Sequence, residues 1–390
     1  MILKKILVVV KVLFKLKIYF HEPKKSELII FDGESFKQLE KVVKDFDFFL
    51  LETRFSRVKS IYITKNILFR TFENYKKNLF SSYLLTIIDI INPKIVFTYI
   101  DNSHRFNEIS KLRKNKYKFV ALQNGARYEH KIINKLKDKN KSCELSKFNI
   151  PYFLCFGDYE INDYKNSKQS IKKFTKVGSL KLANYLLSKK KNKTKKINDI
   201  LLISDVYCWD SILNELNLPI AQGVIQLIKF TISFAIKNRL KIKIAVRSYK
   251  DNFQKENNFY KRYLSENEYN FLIKNMFFRP TNYKTYEIMC KSKVVVGTMS
   301  TMLRENLILN GKTLACNFTK TEIFDFPIKG ICYLKNNNYF IFEKRLKHIL
   351  KIDKKKYIKL LNKKPTYLVR YDSERNTIDL VKEKLKFLSK

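Results

Sequence analysis

Short apolar segments of strand length alternate with segments of helical spacing along most of this chain, and this alternation restricts its fold more than any other feature. Predicted strands of the first half include residues 26–32, 94–100 and 118–122, and the second half repeats the pattern at 200–203 and 294–296. Apolar strands separated by helices form parallel sheets that helices cover on both faces. We therefore predict an α/β protein in which two Rossmann-like domains with parallel sheets face each other across a cleft.

The domain boundaries follow from one hydrophilic run, KKKNKTKK at residues 189–196, which contains no apolar residue and indicates a linker. The 390 residues suffice for two domains of ordinary size. Helical spacing over 35–49 places the string Asp45-Phe46-Asp47 inside a helix. The predicted division is a basic amphipathic segment over 1–25, an N-terminal domain over 26–188, a linker over 189–197, a C-terminal domain over 198–345, and C-terminal helices over 346–390 that could cross back to the first domain.

The most informative stretch is VVVGTMSTMLRENLILNGK, at residues 294–312. An apolar strand ends at Gly297, a turn containing Ser300 and Thr301 follows, and a helix then carries Glu305. Backbone N–H groups at the start of a helix, together with the positive end of its dipole, can bind a phosphate. A carboxylate one turn inside the helix can accept hydrogen bonds from the hydroxyls of a sugar. The alternative is an ordinary strand–helix turn with a polar cap.

Polar residues also follow two predicted strands of the first half. Asp101 and Asn102 come after one strand, and the run QNGARYEH at 123–130 comes after the next. Parallel strands end at the same edge of a sheet, so these clusters would meet there. Gly125 would permit a tight backbone turn, and a carboxylate such as Asp101 or Glu129 could act as a general base. The alternative for Asp101-Asn102 is a helix N-cap.

Three more polar positions follow apolar segments in or near the second half. Asp205 comes after the strand ILLI, Arg247 after the strand IAV, and Ser179 stands where the chain would pass between the domains. A guanidinium at a strand end can bind a phosphate or carboxylate. The alternative for Arg247 is a salt bridge to Asp251 or Glu256, and the alternative for Ser179 is a plain turn.

The net charge of +43, from 79 Lys and Arg against 36 Asp and Glu, would attract polyanions. The lysines are spread through the whole chain, however, and no nucleic-acid-binding motif accompanies them. We therefore expect a solvated basic surface and no specific nucleic-acid partner. The first 20 residues contain five lysines, which makes them a poor transmembrane span. As an amphipathic helix they could lie on an anionic membrane, and the alternative is a core-packed helix or strand that leads into the first domain.

The sequence motifs of several nucleotide-binding, metal-binding and catalytic sites are absent. The chain has no GxGxxG, no GxxxxGK[ST], no HExxH and no GxSxG motif. Its six cysteines form no CxxC pair, which favours free thiols in a reducing compartment over a zinc site. We expect no metal site and no cofactor.

Several short motifs of this chain resemble those of a known family. The pattern SxxxxENxxxNGK resembles the donor-site motif of GT-B glycosyltransferases, and it is formed here by Ser300, Glu305, Asn306, Asn310, Gly311 and Lys312. The strings IIFD, ETR, PKIVFTYIDN and ALQNGAR, together with VGS, VRSY and ENNFY, resemble an uncharacterised bacterial group of surface-carbohydrate transferases. Two departures leave the donor and the catalytic group open. The His-Pro dipeptide of several sialic-acid and Kdo transferases is absent. The QHG string that is common in glycerophosphate-type polymerases appears here as Gln123-Asn124-Gly125.

The resemblance implies an enzyme that moves a sugar from a nucleotide-sugar donor to an acceptor of capsule, lipopolysaccharide or lipid-linked type, without a metal, in the cytoplasm or at the inner face of the membrane. We expect the donor to contact Ser300, Thr301, Glu305, Arg247, Ser179 and Asp205. Acceptor binding is assigned to Asn102, Gln123 and Arg127, and catalysis to Asp101, Glu129 and Asn124. The alternatives are a sugar-nucleotide epimerase of the same fold, a basic nucleic-acid-binding protein and a non-catalytic scaffold.

Overall fold

The computed structural model describes residues 16–54, 58–75, 78–128, 148–189, 195–206, 220–278 and 283–390. Its first half contains eight described strands: β1 (Lys17–Tyr19), β2 (Leu28–Phe31), β3 (Phe48–Leu51), β4 (Ser60–Tyr62), β5 (Ile95–Thr98), β6 (Lys118–Leu122), β7 (Asn149–Cys155) and β8 (Ser170–Lys176). The described helices of this half are α1 (Phe36–Val43), α2 (Lys65–Glu73), α3 (Leu79–Ile91), α4 (His104–Arg113), α5 (Asp158–Asn166) and α6 (Leu180–Ser188).

Six of these strands form one parallel sheet in the order β3-β2-β5-β6-β7-β8. Alternate residues of each strand point to opposite faces, so the sheet has two apolar layers. One layer packs against α2, α3, α4 and α5, and the other packs against α1 and α6. The chain order reverses between β2 and β5, and ligands of open α/β sheets bind beyond the strand ends at such a point.

The second half repeats this arrangement. Its strands are β9 (Asn198–Ile203), β10 (Ile242–Ala245), β11 (Met276–Phe277), β12 (Ser292–Gly297), β13 (Lys312–Cys316) and β14 (Tyr333–Leu334), which form a parallel sheet in the order β11-β10-β9-β12-β13-β14. The described helices are α7 (Ile220–Lys237), α8 (Gln254–Tyr263), α9 (Glu266–Asn275), α10 (Lys284–Cys290), α11 (Thr301–Ile308), α12 (Tyr339–Lys351), α13 (Lys354–Lys359) and α14 (Thr377–Ser389). Here the order reverses between β9 and β12. The predicted pair of Rossmann-like halves is confirmed.

Two helices connect the halves. From α6, Leu180 and Ala183 pack into the first core, whereas Leu182 and Tyr185 pack into the second. The last helix, α14, returns to the first half, where it packs beside α1 and α6 on the first sheet. Near this return Gly178 has φ +87°, and a Cβ atom there would lie 2.4 Å from the Arg370 carbonyl oxygen. Only glycine fits that turn between the halves.

The structure corrects three predictions of local structure. The helix expected over 35–49 ends at Val43, because the apolar run Phe48–Leu51 forms β3. The Asp45-Phe46-Asp47 string therefore lies in the turn after the helix, where Asp45 pairs with Lys382. Within the N-terminal segment, Lys17–Tyr19 form a strand that pairs with β4, so for these three residues the expected amphipathic helix is wrong and the alternative of a strand is right. Residues 1–15 lie outside the described residues.

Among the described residues, α7 is the one helix long and apolar enough to cross a membrane. Ten of its 18 residues are buried, and the side chains of eight of them pack into the second core. Burial of that kind is typical of the core helix of a globular domain.

Candidate functional site

The reversal point of the second sheet is held together by a buried carboxylate. Asp205 follows β9, and its Oδ2 atom accepts hydrogen bonds from the backbone N–H groups of Thr298 and Met299, each at 3.0 Å. Burial raises the pKa of the Asp205 carboxyl above its usual range, against the opposing effect of these hydrogen bonds. The turn after β12 is thus fixed by Asp205, which uses two N–H groups that a bound phosphate would otherwise take.

This turn faces the first half. The Ser300 hydroxyl caps α11 by accepting a hydrogen bond from the Met302 N–H group at 3.3 Å. The Thr301 hydroxyl accepts one from the backbone N–H of Ala126 at 2.8 Å, and the Tyr128 hydroxyl donates to the Met299 carbonyl at 3.1 Å. The loop after β6 and the turn after β12 therefore meet at the junction of the halves.

One turn into α11, Glu305 is buried, with 2% of its surface exposed. Its two carboxylate oxygens accept hydrogen bonds from the hydroxyls of Ser179, at 2.5 Å, and Tyr286, at 2.8 Å. Burial raises the pKa of the Glu305 carboxyl, and the two hydroxyls oppose that rise. A ligand reaches this carboxylate only if one of those side chains moves. Ser179 also caps α6, so it is more than a plain turn residue.

A second contact across the junction was not expected from the sequence. Arg304 is 1% exposed and forms an ion pair with Glu160 of α5. Gln123 joins this pair, because its amide nitrogen lies 3.3 Å from Glu160 Oε1 while its amide oxygen accepts the Phe156 N–H group. Gln123, predicted to bind the acceptor, is fully buried and holds the loop after β6 in place. The sequence contains no local pattern that predicts this ion pair. It becomes visible only in the tertiary structure, where one charge from each half is buried beside the other.

The first sheet's edge holds a compact polar cluster. Asp101 is 1% exposed and forms a two-pronged ion pair with Arg127, one hydrogen bond of which is 2.9 Å. Asn124 joins both residues, because its N–H lies 3.3 Å from Asp101 Oδ1 and its side-chain oxygen accepts from Arg127. The N-cap of α4 is Ser103, so the capping alternative for Asp101-Asn102 is wrong. Asn102 is exposed at the same edge.

Two more residues of the QNGARYEH run, Gly125 and Glu129, are also singled out in the sequence. The chain bends at Gly125 without a positive φ, so the bend does not depend on the conformational freedom of glycine. A Cβ atom there would lie 3.5 Å from the Thr301 hydroxyl oxygen, an ordinary contact. Glu129 lies outside the described residues, and its catalytic role stays a prediction.

Arg247 lies two residues beyond the end of β10, and it is exposed. The carboxylate of Glu256 accepts the backbone N–H groups of Arg247, at 3.1 Å, and Ser248, at 2.7 Å. Glu256 therefore holds the backbone of this strand end. The positive charge of Arg247 is one of the influences that lower the pKa of Asp205 against the larger effect of burial.

The second part of the donor-like motif is structural. Asn306 donates to the Lys312 carbonyl and the Thr313 hydroxyl, at 2.8 and 2.9 Å, and its side chain fills the space that a Cβ atom on Gly311 would need. Asn310 has φ +57°, which ends the helix. Asn306, Asn310 and Gly311 thus build the connection from α11 to β13, whereas the positions at 300, 301 and 305 face the junction.

The described residues contain no group of three or more His, Cys, Asp or Glu side chains that could hold a metal ion. A reaction without a metal stays a prediction.

No protein-family model and no curated protein sequence matches this chain. Solved structures resemble it at low sequence identity. The UDP-GlcNAc 2-epimerase of Methanocaldococcus jannaschii, in complex with UDP-GlcNAc and UDP, has a TM-score of 0.52 at 12% identity and covers 92% of this chain and 99% of its own. S. aureus MnaA with UDP has a TM-score of 0.50 at 11% identity, with coverage of 93% and 95%. The wall teichoic acid polymerase TagF has a TM-score of 0.48 at 9% identity, with coverage of 93% and 90%.

The likenesses to the M. jannaschii epimerase and to S. aureus MnaA establish the fold. The chain has the GT-B arrangement, in which two Rossmann-like halves with parallel sheets meet at a junction lined by strand ends. The predicted fold class is confirmed.

Proposed function

We propose that this chain is a glycosyltransferase that moves a sugar from a nucleotide-sugar donor to a surface-glycan or lipid-linked acceptor. The observation that carries the proposal is the meeting of two strand-end loops at the junction, where the Thr301 hydroxyl accepts the Ala126 N–H group. A transfer between two substrates needs groups from both sides, and this junction brings groups of both halves within hydrogen-bond distance.

In this proposal the donor binds on the side of the second half. The start of α11 and the Arg247 guanidinium provide positive charge for the donor phosphates and for the leaving group, which removes the need for a metal. Glu305 accepts hydrogen bonds from the ribose, in place of those it now accepts from Ser179 and Tyr286. Asp205 acts by holding the turn and not by touching the donor, because its carboxylate would repel a phosphate.

The acceptor binds on the side of the first half. Asn102 and Asn124 offer amide groups for its hydroxyls, and Asp101 is the candidate base. Because Arg127 now occupies both oxygens of Asp101, that role requires Arg127 to release one of them when the acceptor binds. Glu129, two residues after Arg127 in the sequence, is the other candidate base.

A sugar-nucleotide epimerase is the second candidate, and the fold likeness to the M. jannaschii epimerase favours it. Both candidates bind a nucleotide sugar at the same junction. They differ in the second substrate, since an epimerase needs no acceptor.

Two experiments test the proposal in order. A thermal-shift panel of CMP, UDP, GDP and TDP comes first, because a ligand that binds the folded state raises its melting temperature with increasing affinity. The nucleotide that gives the largest shift names the donor class, and no shift with any of them contradicts an enzyme of this kind. The matching nucleotide sugars are then incubated with the protein alone and with lipid-linked acceptors. Isomerisation of the sugar without an acceptor would establish the epimerase, and transfer only with an acceptor would support the glycosyltransferase.

A further inference from the structure

The helical hairpin of α2 and α3 exposes an unusual amount of apolar surface. Ile67 and Thr71 of α2 are buried towards α3 and the first core. The opposite side of α2 should be polar in a helix that faces only water. Instead, Phe69 is 65% exposed and Phe72 is 67% exposed. We call the exposed apolar set the hairpin face, and it consists of Leu68, Phe69, Phe72, Tyr75 and Leu79.

The hairpin face continues onto the neighbouring strand. β1 pairs with β4, which leads directly into α2, and the Asn66 side chain donates to Glu22 at 2.6 Å. Phe20, between these two links, is also exposed. Eight of the 19 large hydrophobic side chains that are exposed in the described part of the chain lie between Ile18 and Leu79. Such concentration on one region indicates a surface that binds something apolar.

The charges around the hairpin face indicate what it binds. Lys65 and Arg70 are exposed on α2 itself, and Lys17 and Lys59 are exposed on and beside the two-stranded sheet. Within α2, β1, β4 and the residues beside them, the exposed carboxylates are those of Glu22, which is bonded to Asn66, and Glu73. Aromatic side chains can insert into the headgroup region of a bilayer, and surrounding cations can pair with its phosphate groups. This combination fits the surface of an anionic membrane. We propose that the hairpin face docks on an anionic lipid membrane.

Docking there would bring the acceptor side of the junction to the membrane. Arg105 follows Asp101 by four residues, its guanidinium lies 5.0 Å from the ring of Phe80 in α3, and it donates to the Thr53 carbonyl at 2.7 Å. The hairpin is therefore tied to the edge of the first sheet that carries Asp101. This step rests on the proposed function, because only a transferase with a lipid-linked acceptor benefits from that placement.

The test compares two pairs of exposed phenylalanines in the full chain. Phe69→Ser/Phe72→Ser removes the two most exposed rings of the hairpin face, and Phe340→Ser/Phe387→Ser removes two rings that are 74% and 64% exposed elsewhere on the protein. Binding is measured by co-sedimentation with vesicles of phosphatidylcholine alone and of phosphatidylcholine mixed equally with phosphatidylglycerol. We expect the hairpin pair to lower partition onto the mixed vesicles by about tenfold or more, and the control pair to change it by less than about twofold. The control is needed because a charge of +43 adsorbs to anionic vesicles at any face.

Equal losses in the two pairs, or no loss in the hairpin pair, would overturn the docking proposal. A lower melting temperature of the hairpin pair with unchanged vesicle binding would also overturn it, because that result means that the two rings pack against protein, in this chain or in a second copy, and not against lipid. Nucleotide binding in the thermal-shift panel reports separately on the proposed function. A wild-type chain that binds vesicles through the hairpin but binds no nucleotide would refute the transferase and leave membrane docking intact.

Discussion

Two neighbouring residues of α11 contact the first half in different ways. Arg304 pairs with Glu160, so that a buried cation meets a buried anion. Glu305 accepts hydrogen bonds from two neutral hydroxyls, those of Ser179 and Tyr286. Loss of one member of a buried ion pair leaves the other charge without compensation, whereas one hydroxyl can replace another as a hydrogen-bond donor at little cost.

This difference distinguishes the part of the junction that holds its shape from the part that can exchange partners. A ribose carries neighbouring hydroxyls, which are the same donors that Glu305 already accepts. No common ligand group could replace Arg304 beside Glu160 with both charge and geometry preserved. We therefore expect substitutions at Arg304 to change stability most and substitutions at Glu305 to change ligand binding most.

The largest effect should follow Arg304→Met. The substitution leaves the Glu160 carboxylate buried without its counter-charge, and we expect the free energy of unfolding to fall by about 3–5 kcal/mol. Denaturant unfolding measures the loss. The double variant Arg304→Met/Glu160→Met should recover most of it, because both charges are gone. A single variant that unfolds like the wild type would show that the ion pair does not hold the junction.

The next effect is on nucleotide binding. Glu305→Ala should weaken the affinity for the nucleotide selected by the thermal-shift panel by about tenfold or more, because hydrogen bonds to a charged group contribute about 1.5–3 kcal/mol. Isothermal titration calorimetry measures the nucleotide affinity. Asp101→Asn is the matched control in the first half, and it should lower turnover while nucleotide affinity stays within about twofold. Unchanged affinity in Glu305→Ala would remove this residue from the donor site.

The sequence predicted the sheets and the polar strand ends, but not the contacts across the junction. Residues 294–312 have a strand, turn and helix that apolar spacing alone reveals, and the structure confirms them as β12 and α11. By contrast, α5 has a polar sequence, DYEINDYKN, with too few apolar positions to predict a helix. No helix and no functional role were therefore predicted for Glu160. Its partner lies 144 residues away, and no local pattern reports a pairing at that distance.

The pH dependence of stability offers a smaller test of the same comparison. Burial raises the pKa of Glu305 in the folded state above its unfolded value, so the folded chain binds that proton more tightly. The stability that this group contributes is complete below the unfolded pKa and is lost as pH rises through the folded pKa. We expect wild-type stability to decline relative to Glu305→Gln as pH rises from about 4.5. Urea unfolding of both proteins across this range measures the difference, and parallel profiles would contradict the raised pKa.

The smallest expected effect is the most specific for exchange at Glu305. Tyr286→Phe removes one of the two hydroxyls that the ligand would have to displace, while the ring remains stacked on Tyr185 at a centroid distance of 5.1 Å. If the ribose replaces that hydroxyl, the variant should bind the nucleotide about two- to tenfold more tightly, since one hydrogen bond contributes about 0.5–1.5 kcal/mol. Calorimetry with the same nucleotide measures it. Weaker binding would mean that the Tyr286 hydroxyl supports the ligand directly or keeps Glu305 in place, and exchange at this carboxylate would then be the wrong account of the junction.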